Sequence, residues 1–212
     1  MKRWKYFALA AAVLAAGGYF YLQGGSALGS LFSSSSGRKI LAMGGSSWHS
    51  MARPGDGFKV DLPAEAKDTQ VPAFNEAGGS EPVHMLIANL DSDVTYAITW
   101  QDNPPVARVS HSIDRTLNMA RDGMLARTET TIVSESRGNH RDFPSLDIVA
   151  RNNEGGMLNA RLVLADERLY MLIALFPSAS SVREKDVHRF FNSFVPAHHG
   201  GIPETVPSAA QE

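Results

Sequence analysis

Leu169-Tyr170-Met171-Leu172-Ile173-Ala174-Leu175-Phe176 is eight apolar residues without interruption, closed by Pro177. A continuous apolar run closed in this way reads as a central strand covered on both faces. Upstream, Leu146–Arg151 and Met157–Ala165 read as two strands around the turn composition Asn152-Asn153-Glu154-Gly155-Gly156. Thr128–Ser136 is β-branched and ends at Arg137-Gly138, another strand. Before it, Ile113, Leu117, Met119, Ala120, Met124 and Leu125 recur at mostly helical spacing, so 113–126 reads as a helix, with Ser112 or Asp114 to cap it.

Farther out, Val83–Leu90 and Val94–Gln101 read as strands of one hairpin joined by Asp91-Ser92-Asp93. Phe58-Lys59-Val60-Asp61-Leu62 alternates and stops at Pro63, the pattern of a strand. On the C-terminal side, Ser181-Val182-Arg183-Glu184 has the capping-box form and predicts a helix ending near Ser193. Strands, a helix, several antiparallel strands and a final helix define an α+β class: an antiparallel sheet flanked by helices, not a βαβ winding.

The ends of the chain differ from this body. Residues 1–5 hold Lys2, Arg3 and Lys5, and residues 6–22 are 17 uncharged residues, YFALAAAVLAAGGYFYL. As a helix these extend about 25 Å, slightly short of the hydrocarbon core, and Trp4 and Gln23 lengthen the span at its edges. Trp4, Tyr6, Tyr19 and Tyr21 sit at the two ends, as aromatic rings do at headgroup level. The expectation is a transmembrane signal anchor over 1–23, N-terminus cytoplasmic, in a bacterial-type inner membrane with the domain periplasmic. Cleavage as a signal peptide after a small-residue site such as Ala27-Leu28-Gly29 is the alternative. Residues 24–49 are rich in Gly and Ser and read as a flexible linker with a reach of about 25–30 Å. The folded body is expected over 50–196, and 197–212 reads as a disordered tail.

Composition narrows the function classes. The 212-residue chain is 43% hydrophobic and 20% charged, and its net charge is −2. Five of its 20 basic residues lie in the first 45, so the remainder carries 15 basic against 22 acidic side chains. Such a body repels phosphate backbones, which argues against nucleic acid. With no cysteine, the chain has no disulfide, thiolate ligand, cysteine nucleophile or lipid-modified cysteine.

No motif assigns a reaction. His49, His84, His111, His140, His188, His198 and His199 show no metalloprotease spacing, and the adjacent pair His198-His199 is two ligands where a site needs three or four. No nucleophile elbow or S-x-x-K occurs. His140, Asp142 and Ser145 are close in sequence, but nothing at that spacing orients a triad. Gly78-Gly79-Ser80 and Gly155-Gly156 lack a phosphate-loop continuation and read as turns. Asp91, Asp93 and Asp102 lack calcium-loop spacing. The expectation is therefore no catalytic residues, no metal and no cofactor. Trp100, Asp102, Pro104 and Pro105 remain as a possible partner contact, a Trp at a strand end beside a Pro-rich loop, with a core-rim position for Trp100 as the alternative.

Three stretches carry a resemblance. Gly57-Phe58-Lys59-Val60-Asp61-Leu62-Pro63 resembles the opening strand of the PsbP/Mog1-like fold, as in DcrB-type bacterial envelope domains. Ala160–Leu164 with Glu167-Arg168-Leu169-Tyr170-Met171-Leu172 resembles its paired later strands, and Arg189-Phe190-Phe191-Asn192-Ser193-Phe194 its closing helix end. The resemblance spans 58–195 and implies an α/β/α sandwich whose members mostly bind or assemble rather than catalyse. It brings no catalytic residues to carry over. The same residues have structural readings. Phe190, Phe191 and Phe194 would dock the last helix on the sheet, and Arg168 and Tyr170 are expected on opposite faces of their strand. The functional expectation is a non-catalytic, membrane-anchored binding or assembly domain acting on or within an inner-membrane protein complex. A small-ligand or lipid carrier and an enzyme of unrecognised class are the alternatives.

Overall fold

The structure, a computed structural model, describes residues 48–74, 80–90, 93–102 and 112–197. The N-terminal segment 1–47, the loop 103–111 with Pro104 and Pro105, and residues 198–212 lie outside this set. The anchor, most of the linker and the tail read from sequence therefore fall outside the described residues.

Among the described residues the fold has ten strands and two α-helices. The strands are β1 (His49–Arg53), β2 (Phe58–Leu62), β3 (Ala66–Phe74), β4 (Ser80–Asn89), β5 (Thr95–Asp102), β6 (Thr130–His140), β7 (Phe143–Asn152), β8 (Met157–Ala165), β9 (Arg168–Phe176) and β10 (Val195–Pro196). Helix α1 is Ile113–Thr128 and helix α2 is Glu184–Ser193. Seven strands form one sheet in the order β3-β4-β5-β9-β8-β7-β6, every neighbouring pair antiparallel. A second, three-stranded sheet is ordered β1-β2-β10.

The apolar run behaves as its composition requires. It forms β9, the middle strand of the seven, and all nine residues are buried. Tyr170, Leu172, Ala174 and Phe176 enter one core cluster; Leu169, Met171, Ile173 and Leu175 enter the other. The first cluster lies beneath β2 and α2, and the second beneath α1. Burying each such side chain stabilises by roughly 1.5–3 kcal/mol, so this strand anchors both layers.

Helix α1 starts at Ser112, whose hydroxyl accepts from the Arg115 amide at 3.4 Å, and turns Thr116, Leu117, Ala120, Met124 and Thr128 inward. Helix α2 buries Val187, Phe190 and Phe191, with Phe194 following at its C-cap.

Several details depart from the sequence reading. Ser181 does not cap α2. Its hydroxyl accepts from the Ser178 amide at 3.1 Å and donates to the Ser178 carbonyl at 2.7 Å, closing a separate 3-10 turn over Ala179–Ser181. The helix then begins at Glu184 with acidic Glu184 and Asp186 in its first turn, where the helix dipole favours them. Strand β6 does not stop at Arg137-Gly138 but continues to His140, because its ladder with β7 outweighs one glycine. Strands β1 and β3 have no counterpart in the sequence reading, and β1 starts at His49, inside the stretch read as linker. Arg168 and Tyr170 share a face: they are two residues apart, one full strand period, and both side chains reach the Asp56 carbonyl.

Candidate functional site

The sequence singles out Trp100, Asp102, Pro104 and Pro105. Trp100 is 2% exposed, so it is a core side chain and not a partner-facing one. It stacks on His84 at 5.3 Å and meets Phe58 edge-on at 5.0 Å. The physical reason is parity: Trp100 shares its face with Tyr96 and Ile98, which β2 and α2 cover. Asp102 is exposed, and both its oxygens hold the Arg168 guanidinium, Oδ2 at 2.8 Å from Nη2. The remaining Arg168 nitrogen donates to the Asp56 carbonyl, with Tyr170 OH at 3.0 Å from the same oxygen and 2.9 Å from that of Gly57. This set fastens the turn before β2 to the start of β9.

The residues behind the three resemblance motifs converge. Tyr170 lies 5.7 Å from Phe58 and 5.1 Å from Phe194, and Phe58 lies 6.0 Å from Phe194, measured between ring centroids. One aromatic cluster thus joins the opening strand, the central strand and the end of the last helix.

A polar groove opens where this cover ends. Helix α2 lies over part of its sheet face, leaving a groove of about 260 Å³ against β6, β7 and β8. Its centre is Arg161 on β8, cross-strand partner of Asp147 on β7. Arg161 Nε and Nη2 donate to the two Asp147 oxygens at 2.7 Å each. Its third nitrogen, Nη1, lies 3.2 Å from His140 Nδ1 and 3.3 Å from Asn192 Oδ1, and its guanidinium rests 5.1 Å from the Phe191 ring centre.

These bonds fix the tautomer of His140. Its Nε2 is 2.8 Å from the Phe194 carbonyl oxygen, which can only accept, while Arg161 can only donate to Nδ1. The imidazole is therefore neutral and protonated on Nε2. Burial and then the nearby Arg161 and Arg141 guanidiniums hold its pKa below 6.5, outweighing the opposing Phe194 carbonyl and Asp147.

Ser134 and Ser136 line the strand side of the groove, and Val187, His188 and Phe191 the helix side. Asn159, also in the lining, has a buried Nδ2 with no hydrogen-bond partner among the described residues. A donor left unpaired costs about 1–3 kcal/mol, which an entering carbonyl or carboxylate oxygen would recover. Because Asp147 already neutralises Arg161, the groove suits a neutral, peptide-like acceptor better than a free phosphate. A second cleft of about 470 Å³ on the opposite face lies among Ile113, Asp114, Arg137 and Pro144, and the Arg137–Asp114 ion pair at 2.9 Å is part of its wall.

Among the described residues no group of three or more His, Cys, Asp or Glu side chains converges as a metal site would. His140, Asp142 and Ser145 do not assemble: His140 faces Phe194 and Arg161 instead. Sequence reasoning misses the groove altogether. The signal available was the pair Asp147 and Arg161, opposite charges on neighbouring predicted strands, but their register is set only by the turn between them.

No protein-family model matches the chain, and no curated protein does. Two solved structures are similar in outline. Cyanobacterial PsbP (CyanoP) from Synechocystis is 13% identical, covers 78% of this chain and 99% of its own, and has a TM-score of 0.49. The protein of unknown function PA94 from Pseudomonas aeruginosa is 8% identical, covers 72% of this chain and 99% of its own, and has a TM-score of 0.42. Likenesses at these values carry no activity or partner over to this chain. Among the described residues no helix is long and apolar enough to cross a membrane; residues 1–47 are not part of that set.

Proposed function

We propose that this chain is a non-catalytic binding or assembly domain of the PsbP/Mog1-like type, tethered through residues 1–23 to a bacterial inner membrane, periplasmic, and acting on a protein of that membrane. The observation that carries the binding reading is the groove beside α2. It offers an amide donor unpaired among the described residues, two serine hydroxyls and apolar walls around an internally neutralised ion pair. Its volume of about 260 Å³ is below the usual size of small-ligand pockets, so a side chain or short segment of a protein fits it better. The convergence of Phe58, Tyr170 and Phe194 supports the fold resemblance. The basic cluster followed by 17 uncharged residues supports the tether, which would keep the domain concentrated beside membrane partners.

The test is affinity purification of the full chain in mild detergent, beside a Ser134→Trp variant that fills the groove from an exposed strand position. The expected result is one defined membrane protein recovered with the unaltered chain and lost with the variant. Recovery of the chain alone across several detergents would overturn the proposal.

A further inference from the structure

The two edges of the large sheet are built differently. Strand β3 at one edge carries exposed Lys67 and Asp68 and contains Pro72, features that discourage strand addition. Strand β6 at the other edge has eleven residues, no proline and no lysine, and is exposed from Thr131 to Asn139. Ile132 and Val133, at 42% and 57% exposure, are two of the three large hydrophobic side chains exposed among the described residues. No strand covers its outer side among the described residues.

The hydrogen-bonding parity of this edge follows from the β6–β7 hairpin. His140 pairs with Phe143 across a two-residue turn, and the closing pair of such a hairpin is hydrogen-bonded. Antiparallel pairs alternate from there, so Asn139, Arg137 and Glu135 stand at positions whose backbone N–H and C=O point away from β7. The register stays regular down to Ser134, where the bulge at Val133 begins.

We propose that β6 pairs with β6 of a second copy of this chain, antiparallel, across a two-fold axis at Ser136. The charges on the edge select this partner and register. With the axis at Ser136, Glu135 of each copy faces Arg137 of the other, twice. An axis at Glu135 or at Arg137 would instead oppose like charges, which is unfavourable. Within one chain Glu135 already holds Arg121 at 2.9 Å and Arg137 holds Asp114 at 2.9 Å. The pairing therefore makes a row of alternating sign, from Arg121 to Glu135, then to Arg137 and Asp114 of the copy. On the other face the pairs are Ser136 with Ser136 and Ser134 with Gly138, small enough for two strands to approach closely. The bulged Val133 closes the pairing at each end.

The chain has no cysteine, so introduced cysteines report the register directly. In this pairing the two Ser136 residues form a non-hydrogen-bonded pair, with Cα atoms about 4.5 Å apart, within disulfide range. Two Ser134 residues would be separated by four strand positions, about 13 Å, beyond that range. Both serines are exposed, and cysteine is close to their size. The full chain carrying Ser136→Cys, mildly oxidised, should run on a non-reducing gel at twice the monomer mass, and Ser134→Cys should stay largely monomeric. Arg137→Glu in the Ser136→Cys background should cut the dimer band several-fold. Absence of a disulfide dimer from the Ser136→Cys chain, equal dimer from both variants, or a disulfide between the Ser136→Cys chain and a different protein in place of the dimer would each overturn the proposal.

Discussion

The Nε2 of His140 lies 2.8 Å from the backbone carbonyl oxygen of Phe194, which fastens the end of α2 to the end of β6 through a neutral imidazole. Two guanidiniums crowd the same point. Arg141 donates to the Phe194 carbonyl at 3.2 Å, and Arg161 to the other imidazole nitrogen. A second proton on His140 would point at Arg161. The ring therefore binds a proton less readily when folded than in the unfolded chain.

The first prediction is a pH dependence of stability with a defined sign. The unfolded chain takes up a proton on His140 near the ordinary value of 6.5, whereas the folded chain takes it up only lower. The contribution of His140 to stability is present above about 6.5 and is lost as pH drops below it, because the unfolded state binds more protons there. Denaturation midpoints measured from about pH 7.5 to about pH 5 should decline in the unaltered chain, with a shallower decline in His140→Gln. Equal slopes in the two proteins would show that another group sets the dependence.

The second prediction concerns the ion pair beneath the groove. Arg161 meets Asp147 with two parallel bonds and uses its last nitrogen on His140 and Asn192. Lysine keeps the charge but has no fork, so it cannot make this set together. Arg161→Lys should cost roughly 1–2 kcal/mol in chemical denaturation and should not be rescued by high salt, since the loss is of geometry and not of charge. Arg161→Lys and Asp147→Asn should be non-additive by about 1 kcal/mol in a double-mutant cycle. Strict additivity would mean the pair contributes nothing beyond its separate members.

How far the sequence reaches follows from what each element depends on. β9 is legible because a run of eight apolar residues has few other uses, and its two-sided burial agrees with that reading. β8 and β2 are legible through clear bounds, with turn residues at one end and Pro63 at the other. β1 and β3 are not. Their side chains are mostly exposed or half-buried where described, so pairing and not pattern makes them strands. Trp100 shows a different failure. Its local context of a strand end and a Pro-rich loop says nothing about which face is covered, and β2 arrives over it from roughly forty positions away. The groove stays hidden for the same reason, since Asp147, Arg161, His140 and Asn192 become neighbours only through register and helix docking.

The third prediction turns on Gly57. It has φ 70° and ψ 34°, the left-handed region, and ends the 3-10 turn over Pro54–Asp56. A Cβ built there would lie 3.0 Å from Arg168 Nη1 and 3.1 Å from the Tyr170 hydroxyl, the two groups that bind the Asp56 carbonyl. Alanine therefore faces two costs. The left-handed backbone costs a non-glycine residue about 1 kcal/mol or more, and the methyl must push back side chains that are themselves buried and bonded. Gly57→Ala should destabilise by about 2–3 kcal/mol in chemical denaturation. The two costs separate by removing one obstacle: in a Tyr170→Phe background the hydroxyl is gone, and Gly57→Ala should cost less by roughly 0.5–1 kcal/mol. A substitution at Gly57 costing under about 0.5 kcal/mol in both backgrounds would mean that the turn relaxes freely, and that Arg168 and Tyr170 do not hold it against the central strand.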